Sequence, residues 1–207
     1  MIKAAKANYR DLGFIYLCNP NNPTGIPVSK QEVKQLLDEI PQDVPVLIDE
    51  AYHHFAKDPS YAPSVNYVLE GRQVVIARTF SKVVGMAAMR LGYAIAPKAI
   101  IDQMKPFSAG EVNVLAKWGG VASFTDTAAH DKLVAETIRL RQKTVAELQS
   151  LGYSSIPSDA NFFMVHLKTN VVPVIEDFKK RGVAVGRPFP PMTEHLRVSI
   201  GTPEEMD

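Results

Sequence analysis

The chain has 207 residues, 46% of them hydrophobic and 22% charged, with a formal net charge of +1; that balance excludes a disordered polymer and gives no electrostatic ground for nucleic acid or an anionic membrane as partner. One cysteine, Cys18, rules out an internal disulfide and a cysteine-based zinc site, and fits a reducing compartment. No apolar run reaches membrane-spanning length and the opening residues lack the apolar core of a signal peptide, so the expectation is a cytoplasmic protein that works on small molecules.

Short apolar runs alternate with helix-period segments, the pattern of an α/β fold. Strands are predicted at residues 14–18, 46–49, 73–77 and 91–96, each largely apolar, as strands covered on both faces should be. Between the first two, Ser29 and Glu32 stand in capping-box spacing ahead of Val33, Leu36, Leu37 and Ile40, and Pro41 ends the helix. A helical crossover of this kind favours parallel pairing. Residues 110–151 turn helical, and 131–149 place Leu133, Ile138, Val145 and Leu148 among dense charges, which predicts a long surface helix joining two domains. Beyond Gly152 a smaller α/β unit is predicted, with a strand at 162–167, a helix at 174–180 and extended segments at 183–185 and 196–200. The expected division is 1–115 for part of a large domain, 116–151 for a connecting helical region and 152–207 for a small C-terminal domain. Thr202, Pro203, Glu204 and Glu205 supply a helix start just before Asp207. Because nucleation is the costly step of helix formation, this predicts that the natural protein continues.

Three landmarks carry chemistry. The run Asn19-Pro20-Asn21-Asn22-Pro23-Thr24-Gly25 follows a predicted strand and, taken alone, is turn punctuation. The run Val46-Leu47-Ile48-Asp49-Glu50-Ala51-Tyr52 ends a buried strand in a carboxylate, where open α/β sheets bind ligands. A strand ending in Asp-Glu also suits magnesium binding in a phosphate-cleaving enzyme, but the G-x-x-x-x-G-K-[ST] loop that such chemistry needs is absent. The third run, Ala77-Arg78-Thr79-Phe80-Ser81-Lys82, is followed by Arg90 ahead of the next strand. A lysine flanked by two hydroxyls, with an arginine close behind, has the look of a placed amine.

In this order the landmarks resemble the class I/II aminotransferases of fold-type I, enzymes dependent on pyridoxal 5′-phosphate (PLP), and most closely the histidinol-phosphate-aminotransferase-like branch. The resemblance spans nearly the whole chain. It implies the aspartate-aminotransferase-like fold, a mainly parallel sheet in a large domain plus a small C-terminal α/β domain, and a homodimer. It also implies that Lys82 holds PLP as a Schiff base, Asp49 faces the pyridine nitrogen, and Asn22 and Tyr52 bond the phenolic oxygen, with a cis Asn22–Pro23 peptide. Thr79, Ser81 and Arg90 would hold the phosphate. Arg197 would grip the substrate carboxylate, with Asn161 and Arg187 as further substrate contacts. By the same resemblance the family's upstream half, with a phosphate loop and a ring-stacking aromatic residue, is not found in this sequence.

The residue types suit these roles. A carboxylate about 4 Å from a protonated pyridine nitrogen attracts it by roughly 4 kcal/mol at an effective dielectric near 20. A desolvated lysine near other cations loses its proton readily, becomes nucleophilic and can then shuttle a proton; an arginine cannot. Guanidinium forks and hydroxyls match phosphate and carboxylate. His53 and His54 lack any H-E-x-x-H arrangement and are expected as wall or structural residues, with no metal site. The expected reaction passes an amino group from an amino acid or a histidinol-phosphate-like amine to a 2-oxo acid. The alternatives are a β-lyase or decarboxylase on the same scaffold, or a non-catalytic PLP-sensing regulator domain.

Overall fold

The computed structural model describes residues 1–108 and 110–207. Helix α1 (Ile2–Ala7) leads into β1 (Ile15–Cys18), α2 (Lys30–Glu39) and β2 (Val46–Asp49). Helix α3 (Val65–Leu69) precedes β3 (Val74–Thr79), and β4 (Gly92–Ile95) is followed by α4 (Lys98–Met104), α5 (Val114–Ser123) and α6 (Thr127–Ser150). The remainder is β5 (Ser154–Ile156), β6 (Phe162–His166), α7 (Val171–Lys180), β7 (His195–Ser199) and α8 (Pro203–Met206).

Two sheets result. The first has the order β1-β2-β3-β4, with β1, β2 and β3 parallel and β4 antiparallel to β3. The second, β5-β6-β7, is antiparallel throughout. This is the expected α/β fold with a mainly parallel larger sheet. The crossover between β1 and β2 is α2, started by the predicted capping box: the Ser29 hydroxyl accepts the Glu32 N–H and the Glu32 carboxylate accepts the Ser29 N–H. The same device opens α8 at Thr202 and Glu205.

Side chains alternate along a strand, so each strand of the first sheet presents two different faces. Ile15, Leu17, Val46, Ile48, Val74 and Ile76 point to one side and pack, buried, with Val33, Leu36 and Leu37 of α2. Tyr16, Cys18, Leu47 and Asp49 point the other way and are only partly covered, Tyr16 being 51% exposed. The cover expected on both faces from the apolar runs is complete on the α2 face; on the other, Val75 is buried while Tyr16, Cys18, Leu47 and Asp49 are only partly covered, and there the polar residues gather.

Helix α6 touches the cores beside both sheets. Val134 and Ile138 pack with Tyr52, Phe55, Val83 and Phe162, while Val145 and Leu148 pack with Phe163, Val165 and Leu196. Val134, and not the adjacent Leu133, continues the three-and-four spacing of this buried stripe; Leu133 is 44% exposed. Most of the charged residues of α6 are exposed, as expected of a surface helix; Arg141 alone of them is buried, donates to the Ala160 carbonyl and lies 3.9 Å from Asp159. Residues 183–185 form no strand; the Gly186 N–H alone of this neighbourhood reaches β7, at the Arg197 carbonyl, 3.2 Å away.

Candidate active site

Three loops converge at the ends of β1, β2 and β3. The loop after β1 is closed by Asn19, which is fully buried: its side chain accepts the Val28 N–H at 2.7 Å and donates to the Val28 carbonyl at 3.1 Å. Gly25 has φ +77°, and a Cβ there would lie 1.9 Å from the Ser158 hydroxyl, so the loop is pressed against the segment ahead of β6. The Asp159 N–H completes the contact by donating to the Gly25 carbonyl at 2.8 Å. Held in this way, and with the Asn22–Pro23 peptide cis as expected, Asn22 points across at two partners. Its amide nitrogen lies 3.5 Å from the Tyr52 hydroxyl and its oxygen accepts from Arg197 Nη1 at 2.9 Å.

Asp49 closes β2 and pairs in register with Cys18 on one side and Ala77 on the other. Both carboxylate oxygens are engaged: Oδ1 accepts the Ala51 N–H at 3.0 Å and Oδ2 accepts the Tyr16 hydroxyl at 2.8 Å. A cavity of about 430 Å³ is lined by Asp49, Thr79, Ser81, Lys82 and Arg90, with Arg78 and the small side chains of Ala51, Ala77 and Ala87. Asp49 and Lys82 thus share one space. The Lys82 amine lies 5.2 Å from the centre of the Tyr52 ring, whose edge meets Phe162 at 5.0 Å. Thr79 turns its hydroxyl back to accept the Ser81 N–H at 3.0 Å, which shapes the turn into Lys82. Arg90 occupies the left-handed region at φ 53°, with Nη1 on the Ala87 carbonyl at 2.8 Å.

A second group forms around Arg197. Its guanidinium stacks 4.6 Å from the Phe189 ring and 5.0 Å from Phe162, and Arg187 stacks on Phe189 at 4.3 Å. Arg197 Nε is buried without a hydrogen-bond partner, an open donor in a cationic setting. Burial, with Arg187 close by, pulls the Arg197 guanidinium below its ordinary range. Burial likewise pushes the Tyr52 hydroxyl above the usual tyrosine value, against the pull of Arg197. Asn161 stands apart from the cavity that holds Asp49: it lines a neighbouring space of about 330 Å³ with Thr137, Ile200 and Gly201, and Lys82 borders both.

Two features were not read from the sequence. One is Tyr16 on Asp49. The other is the pair Glu50 and Arg78: Glu50 is fully buried, accepts Arg78 Nε at 3.0 Å and Nη2 at 2.7 Å, and accepts the Ser64 N–H at 2.6 Å. The register explains the pair: Asp49 is the direct partner of Ala77, which brings the next residue of each segment, Glu50 and Arg78, side by side. His53 and His54 stack with ring centres 3.8 Å apart and, with Arg78 and His130, line a space of about 290 Å³. Burial holds their protonation down to about 3 and about 4, so both are neutral at neutral pH. They are wall residues, as expected, and among the described residues no cluster suited to a metal ion occurs.

A family profile described as aminotransferase class I and II matches residues 2–207. Histidinol-phosphate aminotransferase 2 of Carboxydothermus hydrogenoformans is 38% identical over 196 residues, which are 91% of this chain and 53% of that protein. The aromatic amino acid aminotransferase of Thermobifida fusca is 35% identical, over 93% of this chain and 53% of its own length. A crystal structure from Erwinia carotovora atroseptica, provisionally described as a histidinol-phosphate aminotransferase, superposes with a TM-score of 0.93 at 32% identity, over 99% of this chain and 60% of that one. The chain spans about half the length of the curated relatives it matches.

Proposed function

The chain belongs to the class I and II aminotransferase family, and on that premise we propose that it is the lysine-bearing part of a pyridoxal 5′-phosphate-dependent aminotransferase. The observation that carries this reading is the single cavity shared by Lys82, Asp49, Thr79, Ser81 and Arg90. It offers an amine, an acid at a strand end and a set of phosphate donors, and its alanine walls leave room for a flat ring. Bound there, PLP would supply an electron sink that stabilises negative charge at the substrate α-carbon.

The chain's own groups divide the remaining work. The Lys82 amine would hold the cofactor covalently at rest and, once displaced, move the proton from the substrate α-carbon as a positioned base. The Asp49 carboxylate would face the pyridine nitrogen. Asn22 and Tyr52 would hydrogen-bond the phenolic oxygen and fix the tilt of the ring. Thr79, Ser81 and Arg90 would take the phosphate. Arg197 would accept the substrate carboxylate, its buried, unpartnered Nε being the donor that such a group would satisfy. Arg187, also over the Phe189 ring, would add positive charge for an anionic substrate, and Asn161 would border the adjoining space that Lys82 also lines.

The relatives' names support an amino acid or a histidinol-phosphate-like amine as donor and a 2-oxo acid as acceptor. A homodimer belongs to the same reading and is supported by the apolar face that α5 leaves open, where Leu115 is 70% and Trp118 66% exposed. A cytoplasmic setting is supported by the lone, unpaired cysteine. The test is to mix the protein with PLP, an amino donor and 2-oxoglutarate and to measure glutamate. Stoichiometric glutamate, abolished by Lys82→Ala, is expected. Donor consumption without glutamate would instead indicate a lyase or decarboxylase, and unchanged turnover in Lys82→Ala would overturn the assignment.

A further inference from the structure

We infer that Tyr16 is a positioning residue for Asp49: its hydroxyl fixes the carboxylate in the orientation that faces the cavity, an inference that rests on the cofactor reading above. The register explains why this residue can do so. Tyr16 and Cys18 share the cavity-side face of β1, and Cys18 is the direct partner of Asp49. Tyr16 is therefore the diagonal neighbour of Asp49 across the two parallel strands, at a separation that a long aromatic side chain spans. The Tyr16 hydroxyl donates to Asp49 Oδ2 at 2.8 Å while the Ala51 N–H donates to Oδ1 at 3.0 Å. With one donor on each oxygen, rotation of the carboxylate breaks a hydrogen bond. A phenylalanine would supply the same ring and packing, so the hydroxyl on Asp49 is the part of Tyr16 that the carboxylate depends on. Tyrosine supplies a donor without a charge. An arginine or lysine in its place would neutralise Asp49 and compete with a protonated pyridine nitrogen for it.

The pair has a signature that needs no bound cofactor. Burial, the hydrogen bond to Asp49 and the nearby Cys18 thiol and Asp49 carboxylate all raise the ionisation of Tyr16 above the ordinary tyrosine value. Subtracting the tyrosinate titration of Tyr16→Phe from that of the unaltered chain isolates Tyr16. It should ionise above the ordinary range, and Asp49→Ala should bring it down. The second measurement is PLP affinity by equilibrium dialysis. Tyr16→Phe keeps the ring and its packing, and should weaken PLP binding roughly tenfold, the low end for a hydrogen bond to a charged group at a half-exposed site. In the Asp49→Ala background the same change should cost little more, because a residue that acts through another loses its effect when that partner is gone.

Tyr16 ionising like a free tyrosine and ignoring Asp49→Ala would overturn the inference. So would costs of the two substitutions that add in full, which is the behaviour of a residue that only packs. Absence of PLP binding in the unaltered protein while Tyr16 and Asp49 remain coupled would instead overturn the cofactor reading, and with it the task assigned to the pair.

Discussion

Buried ionisable groups near the strand ends set much of this chain's sensitivity to substitution and pH. Glu50 is fully buried and receives both Arg78 Nε and Nη2. Arg78→Met keeps the bulk but strands the carboxylate, and should lower stability by about 3–5 kcal/mol in urea unfolding; a loss below about 1 kcal/mol would show that the pair is dispensable. His53 and His54 act through pH. They protonate at about 3 and about 4 in the folded chain, against an ordinary value of 6.5, because of burial, with His54 beside His53 and Arg78 and His130 facing the two rings. Between 6.5 and about 4 the unfolded chain therefore binds protons that the folded chain refuses. Stability is full above about 6.5 and falls as the pH drops through that window. His54→Phe should flatten the decline in unfolding midpoint between pH 6.5 and 4.5, and an unchanged slope would refute the assignment.

At the scale of elements, caps and alternation were readable and short pieces were not. The Ser29 and Glu32 spacing marked the start of α2 to the residue, and both reciprocal bonds form. Ser29→Ala should cost about 1 kcal/mol, measurable by urea unfolding, whereas no loss would mean that the Glu32 arm suffices. Strands β1, β2, β3 and β4 were legible from apolar runs because one face of each packs on α2 or its neighbours. Helices α1 and α3, of six and five residues, have no stripe long enough to show a period. Strand β5, three residues long and begun by two serines, looks like loop chemistry; pairing with β6 makes it a strand. Apolarity alone cannot choose between the adjacent Leu133 and Val134 of α6; contact with Tyr52 and Phe162 selects Val134 for burial.

Taken as a whole, the chain folds so that groups remote in sequence meet. Asn22 and Arg197 are 175 positions apart and share a hydrogen bond. The motifs identified the members of this site because each combines a chemical group with a strand end. Tyr16 escaped notice for want of a motif, its role being visible only once the register of β1 on β2 was known. Asn161, expected as a substrate contact, borders the space that adjoins the Asp49 cavity and shares Lys82 with it. The claim on which the rest depends is that Lys82, among the chain's lysines, is the one aimed into the cavity with Asp49. The direct measurement is to add PLP, reduce with borohydride and locate the modified lysine by peptide mass mapping. The account predicts modification concentrated at Lys82 and reduced by Asp49→Ala. Modification spread evenly over surface lysines, with Lys82 unlabelled, would contradict it.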